Sequence, residues 1–177
     1  MTRHEFAELM EKEGKAVFSF CCQLTGNRED AEDLYQDTML KAMECHMKIN
    51  DELGSPKSFL MGISAKIWKN QKRKYARRQR IAPKEYVDDE NFNGEIVDVG
   101  LSPEETYISK EMCRLVRMET AELNEKYRIV VYMHYTAEMS VEEIAHSLHI
   151  PKGTVKSRLH TARTIIGRKL EEHGYEK

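Results

Sequence analysis

The 177-residue sequence lacks the cysteine patterns and long apolar runs that mark several common classes of protein. Its four cysteines show no C-x-x-C pairing and no metal-ligand spacing, which argues against a zinc-binding or disulfide-stabilised scaffold. His146 and His149 are three residues apart, but no third metal ligand accompanies them. Because there is no signal peptide and no apolar run of membrane length, we expect a protein of the reducing cytoplasm without membrane insertion of its own.

The sequence also lacks catalytic motifs. The run from Pro151 to Ser157 contains a glycine and a lysine, but their spacing does not match a phosphate-binding loop. Neither G-x-S-x-G nor a Ser/His/Asp order occurs. Asp30, Asp33 and Asp37 could form a nuclease metal cluster, although a stripe on a single helix seldom encloses a cation. We therefore expect no enzyme activity and no cofactor.

The net charge is only −2, but the charges are segregated along the chain. Residues 55–80 contain nine Lys or Arg and no Asp or Glu, whereas residues 85–105 contain eight Asp or Glu and no Lys or Arg. The acidic segment shows no hydrophobic periodicity, which is typical of a flexible linker. The contrast between the two segments indicates an acidic tether between two folded units.

The basic segment is predicted to be a helix that begins at Ser55-Pro56, since proline fits the first helical turn. Leu60, Ile63 and Ile67 form its apolar stripe, with Phe59 at the edge. A basic stripe lies on another face: Lys66, Lys69, Arg73, Arg77 and Arg80. Trp68 and Tyr75 lie among the cations, where aromatic rings suit unstacked nucleic-acid bases. A solvated basic face with a core tryptophan is the alternative.

An acidic helix is predicted from about Glu29 to Lys48. Its inner stripe is Ala31, Leu34, Thr38, Ala42 and Cys45, and beside it lie Asp30, Asp33 and Asp37, with Gln36 and Glu44 nearby. Carboxylates in a first turn favour the helix dipole, but Asp37 lies too deep for that explanation. The acidic stripe therefore either docks on a basic protein surface or is simply solvated.

The C-terminal third restarts with the helix signal Ser102-Pro103-Glu104-Glu105. Asn124 can cap a further helix, whose β-branched residues around Ile129 are equally typical of a strand, although the helical neighbours favour a helix. Ser140-x-x-Glu143 is a capping box that opens a short helix.

The next turn is predicted at His149 to Gly153, and Thr154 is predicted to cap a second helix that buries Val155, Leu159, Ala162 and Ile166. Residues 152–169 contain six Lys or Arg and no acid. Two short helices around a tight turn with this charge indicate a DNA-binding helix-turn-helix. The predicted fold is all-α, with two small helical domains at 1–84 and 102–177 joined by a flexible acidic linker at 85–101.

The two modules in this order resemble the extracytoplasmic-function group of the sigma-70 family, the specificity subunits of bacterial RNA polymerase. The resemblance covers nearly the whole chain except the linker. Its most specific stretches run from Asp30 to Asp37, from Glu143 to Ala145, and from Gly153 through Arg158 to Arg163. It implies a region 2-like domain at 1–84, which docks on core polymerase and melts the −10 element, and a region 4-like domain at 102–177, which reads the −35 element.

The resemblance also implies roles for individual residues. Contacts to the clamp helices of the largest polymerase subunit are implied for Asp30, Asp33, Gln36 and Asp37. Contacts to −10 DNA are implied for the basic helix, at Lys66, Trp68, Lys69, Asn70, Arg73 and Arg77. Contacts to −35 DNA are implied for Thr154, Lys156, Ser157, Arg158, His160, Thr161 and Arg163. The polymerase flap and an anti-sigma factor are further implied partners.

Several positions depart from the family pattern. Phe59-Leu60 replaces the usual Trp-Leu, Lys66 replaces an Asn, Thr161 replaces a frequent Arg, and His149 replaces the usual turn glycine. These departures bear on promoter preference rather than on the fold. The predicted function is a sigma factor that binds core polymerase and promoter DNA; the alternatives are a stand-alone helix-turn-helix regulator and an interaction module held by an inhibitor.

Overall fold

The computed structural model describes residues 3–45, 55–81 and 107–175, and these ranges contain helices and turns with no strand. The helices are α1 Arg3–Thr25, α2 Arg28–Cys45, α3 Pro56–Ile81, α4 Tyr107–Glu122, α5 Glu125–Val131, α6 Val141–Leu148 and α7 Lys152–Glu172. A π-helical turn, Tyr132–Thr136, follows α5. The all-α prediction is confirmed.

The chain divides into two compact units. Helices α1 to α3 belong to the first, and α4, α5, α7 and most of α6 belong to the second. The predicted linker at 85–101, and with it the predicted domain boundaries, lies outside the described residues. So does the helix-start signal at 102–105.

In the first unit, α1 and α2 meet at a tight corner. Gly26 has a φ of 83°, in the left-handed region that glycine adopts without steric cost, and its N–H closes the last turn of α1 on the carbonyl of Cys22 at 2.9 Å. Asn27 then caps α2, because its Oδ1 accepts the backbone N–H of Asp30 at 2.8 Å. The corner allows both helices to pack on α3.

The inner stripe predicted for α2 is confirmed for its first four members, which are Ala31, Leu34, Thr38 and Ala42. Of the stripe predicted for α3, only Leu60 is buried. Ile63 and Ile67 are only half-buried, and the buried face runs instead through Leu60, Met61, Ser64, Ala65 and Trp68.

Ser64 explains why the buried face of α3 lies elsewhere than predicted. Its hydroxyl donates to the carbonyl of Leu60 at 2.9 Å and lies 3.1 Å from the hydroxyl of Thr38 on α2. A serine with these partners is tolerated in a core because its polar atom is satisfied there. A prediction from apolar residues alone therefore places the buried face of α3 incorrectly.

In the second unit, α5 is capped by Asn124, whose Oδ1 accepts the N–H of Lys126 at 3.2 Å. The run around Ile129 is helical, as expected, and its side chains are fully buried against the neighbouring helices of this unit. The capping box at α6 is confirmed by two bonds: Ser140 N–H donates to Glu143 Oε2 at 2.9 Å, and Glu143 N–H donates to Ser140 Oγ at 3.2 Å.

Candidate nucleic-acid interface

The turn between α6 and α7 is shorter than predicted. His149 takes a left-handed conformation with a φ of 52°, and the N–H of Ile150 closes the turn on the carbonyl of Ala145 at 3.0 Å. Helix α7 already begins at Lys152, after Pro151, so Gly153 is helical and Thr154 lies in the first turn. The prediction that Thr154 caps the helix is therefore wrong, because proline, with its extended ψ of 145°, already starts the helix.

An ion pair joins the starts of α6 and α7. Lys152 Nζ lies 3.0 Å from Glu142 Oε1, and this contact holds the pKa of the Glu142 carboxyl below its ordinary value. Both side chains are well exposed, so the pair contributes little to stability. However, Lys152 is one of the six cations of α7, and the ion pair makes it less available to an anionic ligand.

Helix α7 buries one stripe, formed by Val155, Leu159 and Ala162. The residues predicted to contact −35 DNA lie off this stripe: Lys156, Ser157, His160 and Arg163 are exposed, and Thr154, Arg158 and Thr161 are half-buried. The hydroxyls of Ser157 and Thr161 donate to backbone carbonyls of α7, at 3.0 Å each. They can therefore accept hydrogen bonds from base amino groups, but their own protons are already used.

Arg163 has a partner that the sequence did not reveal. Its Nε donates to the hydroxyl of Tyr135 at 2.6 Å, and its guanidinium carbon lies 5.7 Å from the centroid of that ring. Tyr135 lies in the π-helical turn and is 54% exposed. π-Helical turns are often found at functional sites, but the turn is visible only in the structure, and no pattern in the sequence pointed to Tyr135.

Lys126 and Tyr127, on α5, are two more residues that the sequence analysis missed. Together with four of the predicted contacts on α7 they line an open groove, named here the α5–α7 groove. No sequence pattern pointed to them, because α5 precedes the helix-turn-helix. The cationic surface therefore extends from α7 onto a second helix.

The polar residues of α3 that were predicted to contact −10 DNA form a largely exposed face. Lys66, Asn70, Arg73 and Arg77 are exposed, and Lys69 is half-buried. In the part of the chain that the structure describes, Lys66, Arg73 and Arg77 form no ion pair with a carboxylate. Their charges are therefore available to a polyanion.

The aromatic residues of α3 have opposite environments. Trp68 is only 3% exposed, and Lys72 Nζ lies 5.6 Å from the centroid of its ring. Its indole is thus a core group, the alternative left open above, and it presents no free face to a base in this conformation. Tyr75 is 51% exposed, so a base can reach its ring.

The residues predicted to dock on polymerase, Asp30, Asp33, Gln36 and Asp37, are all exposed on α2. Asp30 is partly structural, because its Oδ2 accepts a hydrogen bond of 2.7 Å from the side chain of Asn27. Asp37 accepts one of 3.2 Å from Gln71 on α3. Asp33 and Gln36 have no hydrogen bond or ion pair among the described residues.

Among the described residues, no group of three or more His, Cys, Asp or Glu side chains could hold a metal ion. None of the helices that can be described is both long and apolar enough to cross a bilayer. A basic helix beside an acidic one in one unit, and a helix-turn-helix with a cationic face in the other, define a helical DNA-binding protein of transcription.

Comparison with known proteins identifies the family. The family model described as Sigma-70 region 2 matches residues 9–78, and that described as Sigma-70, region 4 matches residues 113–166. The chain belongs to the sigma-70 family, in its extracytoplasmic-function (ECF) group.

Two relatives illustrate the similarity. The ECF RNA polymerase sigma factor SigW of Bacillus subtilis is 27% identical over 174 residues, covering 94% of this chain and 89% of its own. The ECF RNA polymerase sigma factor SigL of Mycobacterium tuberculosis is 25% identical over 170 residues, with the same two coverages of 94% and 89%.

Two solved structures share the fold. The sigma factor RpoE of Bartonella quintana, in complex with the anti-sigma factor NepR, has a TM-score of 0.71 at 21% identity and covers 94% of this chain and 97% of its own. CnrH, in complex with the cytosolic domain of CnrY, has a TM-score of 0.66 at 17% identity and covers 97% and 90%.

Proposed function

We propose that this chain binds core RNA polymerase, recognises the −35 and −10 elements of a promoter, and helps to open the DNA for initiation. The observation that carries the proposal is the presence of both sigma-70 regions in one chain, each coinciding with a charged helical surface suited to its role. A stand-alone regulator needs the helix-turn-helix but has no use for an acidic helix beside a basic one.

In this proposal the exposed acids of α2 bind a basic surface on the clamp helices of the largest polymerase subunit. Asp33 and Asp37 are the main charges, because Asp30 is engaged in capping α2. Charge pairing of exposed groups sets the register and rate of association more than its affinity. The flap of the polymerase is the proposed partner of the second unit.

Helix α3 would hold the separating strands at the −10 element. Lys66, Arg73 and Arg77 suit backbone phosphates, and Asn70 offers an amide to a base edge. Unstacking a base costs a few kcal/mol, and stacking on an aromatic ring returns about 1–3 kcal/mol. The burial of Trp68 favours Tyr75 for that stacking role.

Helix α7 would lie in the major groove at the −35 element. Lys156 and His160 are exposed on it and reach base edges, where a good bidentate contact is worth about 1–3 kcal/mol of discrimination. The two units would contact two DNA elements at once, which raises the effective concentration of each for its own site.

Two further features follow from the proposal. We expect an anti-sigma factor as a regulatory partner, since the similar sigma factor RpoE is bound to the anti-sigma factor NepR in its solved structure. We also expect the chain to act in the cytoplasm without catalytic activity of its own, as a factor that binds RNA polymerase.

Run-off transcription with purified core polymerase on a genomic library tests the proposal. We expect the chain to direct initiation at a set of sites that core polymerase alone does not use. If the chain directs no start-site choice, yet binds operators by itself as a dimer, it is a stand-alone regulator and the proposal is wrong.

A further inference from the structure

The α5–α7 groove is an open depression of about 220 Å³ in the second unit. Its lining residues come from two helices: Lys126 and Tyr127 from α5, and Thr154, Ser157, Arg158 and Thr161 from α7. Four of these six are residues already proposed to face DNA. The groove therefore adjoins the recognition surface but extends beyond the helix-turn-helix.

Two cations and no acid line the groove. Lys126 is exposed, and its Nζ lies 4.8 Å from the centroid of the Tyr127 ring, a cation–π contact that restrains the ammonium group. Arg158 is half-buried on the facing helix. Within the described ranges, no carboxylate forms an ion pair with either side chain, in contrast to Lys152, which Glu142 neutralises.

Two of the four hydroxyl groups that line the groove have protons that are already in use. Ser157 and Thr161 donate their protons to backbone carbonyls of α7. The positive charge that attracts an anion to the groove is that of Lys126 and Arg158. Among the described residues, these two cations have no ion-pair partner, and they face each other across an open polar groove. This arrangement suits an oxyanion that belongs to a larger molecule.

We propose that the α5–α7 groove binds one backbone phosphate of the DNA, held between Lys126 and Arg158. The inference rests on the proposed function, because it needs α7 to lie in the major groove. The phosphates then flank α7, and the groove lies along its N-terminal half. Lys126 becomes a DNA contact outside the helix-turn-helix, and Arg158 contacts phosphate rather than a base edge.

The test uses the full chain and a labelled duplex that contains the −35 region of a promoter mapped by run-off transcription. Lys126→Met removes the charge and keeps an apolar stem against Tyr127. We expect weaker binding to promoter and scrambled duplexes by the same factor, and a log–log dependence of affinity on salt that is shallower by about 0.9. Lys110→Met, on α4 and outside the groove, is the matched control and should change neither quantity.

Neutral methylphosphonates, placed one at a time in the duplex, locate the contact. One position should weaken the binding of the unaltered chain, weaken that of the Lys126→Met and Arg158→Met variants less, and leave that of the variant with both changes unaffected, because each cation supplies part of the attraction there. A loss for Lys126→Met that depends on the base sequence would overturn the phosphate contact.

The inference and the proposed function can fail separately. If Lys126→Met matches the Lys110→Met control while Lys156→Met still weakens promoter binding, the inference is wrong and the function stands. If none of the Lys126, Lys156 and Arg158 variants changes DNA binding, then α7 is not the reading helix, and both the inference and the assignment of α7 to the −35 element are wrong.

Discussion

His149 occupies the corner of the helix-turn-helix in a left-handed conformation, with a φ of 52°. Side chains with a Cβ are crowded in this region, and the usual cost is about 1–2 kcal/mol. Histidine tolerates it better than most residues, so the turn forms without a glycine. The position shows how a single residue can be locally unfavourable and still be compatible with a well-formed motif.

Replacing His149 with Gly should stabilise the second unit. The relief of steric crowding exceeds the extra unfolded-state entropy of glycine, which is about 0.5–1 kcal/mol, so we expect a net gain of about 0.5 kcal/mol. Urea denaturation followed by circular dichroism measures it. The control His146→Gly, within α6, should cost about 1 kcal/mol. A less stable His149→Gly variant would mean that the imidazole makes contacts that outweigh its strain.

The packing of α2 on α3 depends on a pair of buried hydroxyls. Thr38 donates to the carbonyl of Leu34 at 2.7 Å, and its oxygen lies 3.1 Å from that of Ser64, which in turn donates to Leu60. Ser64 uses its proton within α3, so its oxygen can accept from Thr38, whose proton can be shared between Leu34 and Ser64.

Thr38→Val should destabilise the first unit by about 1 kcal/mol, the usual net value of a hydrogen bond. The double variant with Ser64→Ala should cost less than the sum of the single changes, because removing both partners leaves no polar group unmatched. Urea denaturation of the three variants measures the coupling. Thr164→Val, at an exposed site of α7, serves as the control and should stay within about 0.5 kcal/mol. Strict additivity would contradict a direct interaction.

The protein has little net charge, but its acidic and basic residues are concentrated on different helices. The chain has a net charge of −2, yet α3 has no acid, and α2 presents exposed carboxylates beside it. Such an arrangement allows one small protein to bind a basic protein surface and a polyanion at the same time. The proposed function requires this combination.

Charge reversal at Asp33 and Asp37 to Lys should abolish co-purification with core polymerase, because both proposed docking charges then repel a basic surface. Circular dichroism should show unchanged helix content, since both side chains are exposed and the bond from Gln71 to Asp37 is at the surface. Glu32→Lys, on the same helix but paired with Arg28, should leave co-purification intact. An unchanged pull-down of the double variant would reject the docking assignment.

Much of this protein follows from local sequence alone. Capping residues such as Asn124, Ser140 and Glu143 mark helix starts because they bond to backbone groups only two or three positions away. Helical periodicity likewise determines which side chains share a face with the acids of α2 or the bases of α7. The fold class and the charged surfaces were therefore predictable.

The tertiary structure decided what depends on residues far apart in the chain. The burial of Trp68 and of Ser64 depends on which helices pack against α3. The bond from Arg163 to Tyr135 spans 28 positions, and the α5–α7 groove brings Lys126 opposite Arg158. No local pattern encodes such pairs, because their geometry exists only once separate helices have packed and turned particular faces toward each other.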